Sequence, residues 1–262
     1  MDLTVSGQRV FAATGGVAFD PKLPVVVFIH GAGLDRTFWA LQTRWFAHHG
    51  RSVLALDLPG HGRSDGPALE TGAEMADWVV SVLEAAGVET ASLVGHSMGA
   101  LVAMETAARL GDKCRALALC GVAATMPVHP ALLSAAQQNN PVAGELVTDW
   151  GHGPDAHFGA AKAPGVWMLG SALRLLDRAP PGVLGTDLAA CDAYDTALET
   201  APKVTSPVLI VTAPFDKMTP AKAATALKGS FANARMESIP KSGHMKPVER
   251  PDETLKALAQ AV

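Results

Sequence analysis

The residues with the clearest chemical content are Gly95-His96-Ser97-Met98-Gly99, a Gly-x-Ser-x-Gly turn. Ala91-Ser92-Leu93-Val94 before it reads as a buried strand, and Ala100 to Arg109 after it as a helix that begins at once. A hydroxyl on so tight a strand-to-helix turn needs small residues two positions to either side, and Gly95 and Gly99 meet that need. The pentapeptide alone occurs by chance; its setting between strand and helix is what points to a nucleophile. A serine hydroxyl attacks weakly near neutral pH, so it also needs a base within reach and a third group to orient that base.

Nine histidines compete for the base role. His30 and His96 sit beside glycine turns and read as loop-shaping residues. His48 and His49 close a helix, and His129, His152 and His157 fall in a proline-rich region. His244 alone follows the last predicted strand, in a Ser-Gly-His loop that should emerge at the strands' carboxyl edge beside Ser97. Open α/β sheets bind their ligands at that edge. The orienting acid should also follow a strand, and Asp216 does so just beyond Val208–Thr212. Asp57 follows a strand too, but inside Pro-Gly-His-Gly, where its carboxylate reads as a cap for loop amides. Acyl transfer further requires N–H donors for an oxyanion, worth about 3–4 kcal/mol each. Met98 offers its backbone N–H at the helix start, where the dipole favours negative charge. His30-Gly31-Ala32-Gly33 supplies the second, from Ala32 with Gly33 as the competitor.

The elements that must position these groups alternate. Residues up to about Asp20 suit an edge hairpin. Val25–Ile29 is a continuous apolar run, as in a parallel strand covered on both faces. A helix through Phe38–Phe46, a strand at Ser52–Leu56 and a helix from Met75 to Ala86 follow. After the Ser97 unit comes a strand at 115–121. Strands resume at Pro207–Thr212 and from Ala234 to Ile239, with Thr219 and Pro220 as N-cap and first turn of a helix between them. A last helix runs from Pro251. Such alternation predicts a mostly parallel sheet with helices on both faces. Residues 125–201 break the pattern with short helical pieces interrupted by Pro127, Pro130, Pro141, Pro154, Pro164, Pro180 and Pro181. The domain reading is therefore a core of 1–124 and 202–262, and a helical cap of 125–201 inserted after strand 6.

Composition sets the outer bounds. With 262 residues, 48% hydrophobic and 18% charged, the chain can bury a sizeable core and is not disordered. A net charge of −4 without a basic cluster argues against nucleic acid or an anionic membrane as partner. No apolar run is long enough to span a bilayer, and Met1-Asp2-Leu3-Thr4 lacks the pattern of a signal peptide, so the expected location is cytoplasmic. Cys114, Cys120 and Cys191 are scattered and read as reduced, buried residues. His152, Asp155 and His157 match no zinc spacing, and neither metal nor cofactor is expected.

In combination, His30-Gly-x-Gly33, Asp57-x-Pro-Gly-His-Gly-x-Ser64, Gly95-x-Ser-x-Gly99, Asp216 and Gly243-His244 resemble the α/β-hydrolase superfamily, in its single-chain, cap-bearing esterase-like branch. The resemblance runs from about Pro24 to the end of the chain. It implies the α/β-hydrolase fold, with Ser97 as nucleophile, Asp216 as acid and His244 as base in that chain order. It also implies that the cap lines the acyl or alcohol pocket, with Gly33, His96, Trp150, Trp167 and Met168 as candidate walls. A serine at position 97 sets the chain apart from relatives with an aspartate nucleophile, the haloalkane dehalogenases and epoxide hydrolases. The chain lacks the His-Gly-Gly-Pro-Gly of prolyl aminopeptidases and the longer Gly-Pro-Gly loop favoured by carbon–carbon bond hydrolases. The expected activity is hydrolysis of small to medium apolar carboxylic esters by a monomer or dimer. Carbon–carbon hydrolase, lactonase, thioesterase and perhydrolase chemistry are alternatives on the same triad. A slow-turnover ligand-binding receptor on this fold is the alternative of a different class.

Overall fold

In Val25–Ile29 every side chain is buried, and alternate residues enter different cores. Val25, Val27 and Ile29 join a cluster with Met75, Val79 and Leu101, whereas Val26 and Phe28 join Phe46, Ala257 and Leu258. This strand is therefore covered on both faces, as its unbroken apolar pattern requires. Burial of each such side chain contributes roughly 1.5–3 kcal/mol, enough for a few of them to hold a helix onto the sheet.

The computed structural model describes residues 1–159, 165 and 167–262. Its strands are β1 (Asp2–Val5), β2 (Gln8–Ala13), β3 (Val25–Ile29), β4 (Ser52–Leu56), β5 (Ala91–His96), β6 (Cys114–Cys120), β7 (Val208–Thr212) and β8 (Ala234–Ser238). They form one sheet in the order β1-β2-β4-β3-β5-β6-β7-β8. The β1–β2 hairpin and its junction with β4 are antiparallel, and every other pairing is parallel. The registers bring the carboxyl ends into step: Ile29 pairs with Gly95, His96 with Cys120, Cys120 with Val211 and Thr212 with Ser238. Loops after β3, β5, β6, β7 and β8 consequently open along a single edge.

Helix α1 (Ala40–Ala47) covers one face, and α2 (Gly72–Ala85) and α3 (Met98–Leu110) cover the other. Helix α2 starts three residues before the expected Met75, because Thr71 and Glu74 form a reciprocal capping box. Between β6 and β7 lie α4 (Pro130–Gln137), α5 (Val142–Gly151), α6 (Pro154–His157), α7 (Met168–Leu176), α8 (Val183–Asp192) and α9 (Ala197–Thr200). Pro130 and Pro154 occupy first helical turns and Pro141 an N-cap, so these prolines start helices more than they break them. Pro164 lies outside the described residues. After β7 come α10 (Ala221–Ser230), α11 (Lys246–Glu249) and α12 (Pro251–Ala259), the last on the α1 face. The expected cap at Thr219 is displaced by one residue: Pro220, extended at ψ 141°, is the N-cap of α10. Thr219 is instead buried in the site described next.

Among the described residues, no helix is long and apolar enough to cross a membrane, and no group of three or more His, Cys, Asp or Glu could hold a metal ion. The three cysteines are buried and unpaired.

Candidate active site

Ser97 stands between β5 and α3 with φ 54° and ψ −120°, a conformation that costs a non-glycine residue about 1–3 kcal/mol. The close approach around it explains its glycines. A Cβ on Gly95 would overlap the Gly99 carbonyl, and one on Gly99 would overlap the carbonyl oxygens of Ile29 and His30. The Ser97 N–H donates to the Cys120 carbonyl at 2.9 Å, which ties the turn to the end of β6. Met98 opens α3, so its N–H is one of the donors that a helix start leaves without an internal partner. Gly31 packs directly on the Ser97 turn, where a Cβ would lie 3.2 Å from that of Ser97. The loop carrying Ala32 therefore runs alongside the serine. Gly33 is excluded as a free donor, because its N–H is committed to the Asp187 carboxylate at 2.8 Å.

His244 and Asp216 meet behind this turn. His244 Nδ1 lies 3.0 Å from Asp216 Oδ2 and 3.1 Å from Oδ1. An ionised carboxylate only accepts, so the proton belongs on Nδ1 and Nε2 is left with its lone pair. That Nε2 is buried and has no hydrogen-bond partner, the condition of a base awaiting a proton. The ring sits over Gly121, the residue after the carbonyl that holds Ser97 N–H. Ser97 Oγ and His244 Nε2 are not hydrogen-bonded to each other; such bonds are often long in unliganded enzymes and tighten around substrate.

Asp216 is almost completely enclosed. Met218 and Thr219 donate backbone N–H groups to Oδ1, and the Thr219 hydroxyl donates to Oδ2 at 2.9 Å. Lys246, with a side chain 0% exposed, places Nζ 3.1 Å from Oδ2 and 3.1 Å from the His244 carbonyl. Burial alone would raise the Asp216 pKa. Interaction with the His244 ring and the Lys246 ammonium, with the bonds from His244 Nδ1–H and the Thr219 N–H, overcomes that and holds the carboxyl well below its usual range. Glu249 fixes the loop from behind, accepting from Gly243 N–H and, in the inserted segment, from Gly153 N–H, each at 2.8 Å.

A cavity of about 380 Å³ opens on Ser97, lined by Met126, Val128, Leu132, Trp150, Leu188, Cys191, Met218 and Thr219, with His129, Asp149 and Lys217 also on its wall. Of the expected pocket residues, Trp150 is here, and the other four are elsewhere. His96 is 1% exposed, packed between Phe38, Trp39 and His244, and it donates through Nε2 to the His244 carbonyl. Burial, then the neighbouring His244 and the Lys246 ammonium, push its pKa well down, so it acts as neutral packing. Gly33 lies beneath Leu176 and Leu184. Met168 faces a separate cavity of about 270 Å³ with Leu34, Phe38 and His152. Trp167 precedes α7, folds against Gly170 and leaves its side chain largely in solvent. A larger cleft, about 840 Å³, lies by Pro24, Ser92 and Arg115 at the opposite edge of the sheet.

Asp57 accepts from the N–H groups of Arg36 and Arg63 and pairs with the Arg36 guanidinium at 2.6 Å, the capping role expected of it. His30 accepts the Leu58 N–H through Nε2 and likewise supports a loop. Sequence reasoning missed Thr219, Lys246, Glu249 and Asp187. For the first three the signal was a place in the segments just after β7 and β8, which many surface residues share, and Asp187, inside α8, carried none.

Residues 26–257 match the alpha/beta hydrolase family. The chain is 28% identical over 247 residues to the pimeloyl-[acyl-carrier protein] methyl ester esterase of Aromatoleum aromaticum, covering 88% of this chain and 94% of that protein. It is 41% identical over 118 residues to the dihydrolipoyllysine-residue acetyltransferase component of the acetoin cleaving system of Cupriavidus necator, covering 44% of this chain. That match spans 30% of the Cupriavidus protein, and several other curated relatives are likewise matched over less than half their length. In architecture, the enol-lactonase of Burkholderia xenovorans LB400 superimposes with a TM-score of 0.88 at 23% identity, over 99% of this chain and 98% of that one.

Proposed function

The chain belongs to the alpha/beta hydrolase family, and from that premise we propose that it is a serine hydrolase that cleaves small to medium apolar carboxylic esters through an acyl-enzyme. The observation that carries the reading is the convergence at one sheet edge. A strained serine faces an apolar cavity, and a histidine beside it has one nitrogen on a buried aspartate and the other unpartnered.

In the proposed reaction Ser97 Oγ attacks the ester carbonyl carbon while its proton passes to His244 Nε2. The carbonyl oxygen gains the negative charge, and the N–H groups of Met98 and Ala32 receive it. Asp216 stabilises the imidazolium and takes no proton. Collapse of the tetrahedral species breaks the bond to the alkoxy oxygen, which leaves as the alcohol with the proton from His244. Water then gives a proton to the same nitrogen and attacks the acyl carbon; collapse breaks the acyl–Oγ bond, His244 returns the proton to Ser97 Oγ, and the acid leaves. Residues 125–201 act as the cap in this reading: Leu132, Trp150 and Leu188 come from it and wall the cavity. About 380 Å³ admits a short acyl or alcohol group and limits long ones.

The experiment is a panel of p-nitrophenyl esters, lactones, acyl-CoA thioesters and ring-fission ketones compared by kcat/KM, with Ser97→Ala as control. Highest kcat/KM on short aryl esters, abolished in Ser97→Ala, is the expected outcome. Preference for another class overturns the ester assignment, and turnover by folded Ser97→Ala overturns the nucleophile.

A further inference from the structure

Asp187 lies on α8, in the segment over the carboxyl edge, with its side chain 0% exposed. Its Oδ2 accepts two bonds from two separate core loops: the Gly33 N–H at 2.8 Å and the His61 Nε2 at 2.8 Å. Neither contact belongs to the triad, and a helix held to a core by apolar packing alone needs neither. Gly33 is the residue after Ala32, held at φ +66° beneath Leu184 and Leu176. The peptide that Asp187 grips is therefore the one joining Ala32 to Gly33.

The state of His61 follows from its partners. Its Nδ1 lies 2.9 Å from the Pro59 carbonyl, and its Nε2 faces the Asp187 carboxylate. Both partners only accept, so the ring satisfies both only when both nitrogens carry protons. His61 is thus an imidazolium in this arrangement, and its charge is what offsets the buried carboxylate. Loss of one proton breaks either the Pro59 bond or the Asp187 bond, and in the second case the buried carboxylate keeps only the Gly33 N–H, its Oδ1 already being without a partner. The other groups that face His61 are the His30 ring, 4.7 Å away between centroids, Asp57, and Asp35 and Arg178 across a small shared cavity. Burial lowers the His61 pKa, but Asp187, its hydrogen bond, the Pro59 carbonyl and Asp57 together hold it above the ordinary imidazole value.

We propose that Asp187 is a positioning residue for the oxyanion donor, coupling the seating of the cap to the aim of the Ala32 N–H through Gly33, with protonated His61 as its counter-charge. The inference rests on the reading of Ser97 as nucleophile and Ala32 as donor. A peptide tilted by about 1 Å at such a site costs on the order of a hundredfold in rate. Asp187 itself does not line the Ser97 cavity.

The test is steady-state kinetics of Asp187→Asn on p-nitrophenyl acetate, with folding checked by circular dichroism. The expected result is a kcat lowered by about tenfold or more with KM within about threefold. Unchanged kcat with a raised KM means that Asp187 only docks the cap, and overturns the proposal. Should the variant not fold, the wild type carries the test through imidazole ¹⁵N spectra, Gly33 amide exchange and kcat, each followed from pH 6 to 9. Both His61 nitrogens protonated at pH 6, with Gly33 protection and kcat falling together at the His61 midpoint, supports the proposal. A singly protonated His61 at pH 6, or titration without change in kcat, overturns it. Failure of the underlying reading is distinct, because it appears as activity in Ser97→Ala.

Discussion

Replacing Asp216 with Asn should damage stability as well as catalysis, because Lys246 depends on it. Both side chains are 0% exposed and their charged atoms are 3.1 Å apart. With the carboxylate gone, the ammonium retains the His244 carbonyl and no counter-charge at that distance. Removing one member of a buried pair costs about 3–5 kcal/mol, chiefly from the stranded charge. In a chain of this size each kcal/mol moves Tm by roughly 2–4 °C, so Asp216→Asn should melt about 6–20 °C below wild type. Lys246→Met is milder, on the order of 1–2 kcal/mol, because Asp216 keeps His244, the Thr219 hydroxyl and two backbone N–H donors. The double variant strands no lysine and should lie within about 2 kcal/mol of wild type. Urea unfolding of the four proteins, followed by circular dichroism, gives the coupling energy as a double-mutant cycle. Additive losses, or a loss below about 1 kcal/mol in Asp216→Asn, would show that the pair does not hold the site together.

Four further outcomes follow from the same structure. The Asp216 pKa is depressed on folding, so its contribution to stability is complete above the unfolded carboxylate value of about 3.9 and fades as pH falls through the folded one; the Tm gap between wild type and Asp216→Asn should narrow below pH 4. His30, His96 and His152 are pushed down on folding, first by burial, so the unfolded chain takes their protons first and stability should drop as pH falls below about 6.5. His61 runs the other way: its contribution is complete below about 6.5 and lost as pH rises through its elevated folded value, so the Tm deficit of His61→Gln should shrink as pH rises above about 6.5. Leu188→Trp should narrow the 380 Å³ cavity, and kcat/KM for p-nitrophenyl octanoate should fall at least about tenfold relative to the acetate.

The sheet was legible because its signals are local and strong. Val25–Ile29 and Val208–Thr212 are runs rich in β-branched residues, and a strand covered on both faces of a parallel sheet has few other sequence options. The Ser97 turn was legible because backbone contact excludes a Cβ at Gly95 and Gly99, and strand alternation alone put Asp216 and His244 at the same edge. Lys246 was not, since lysine ordinarily marks a surface and its burial is decided by a carboxylate 30 residues away. Asp187 was hidden for a similar reason: its partners, Gly33 and His61, are distant in the chain and no local pattern marks a helical aspartate that faces inward. Among the expected pocket residues on inserted helices, Trp150 lines the Ser97 cavity and Met168 does not, a difference of helix placement. Both are apolar residues of the segment between β6 and β7, but α5 and α7 present them to different cavities, and short helices between prolines carry too few turns to phase.

The central claim is that Ser97 is an activated nucleophile, and covalent labelling tests it most directly. Folded wild type treated with an alkyl fluorophosphonate should gain one adduct, mapped by peptide mass spectrometry to the peptide containing Ser97, and Ser97→Ala should gain none. A folded wild type that stays unmodified, or an adduct on any other residue, contradicts the assignment.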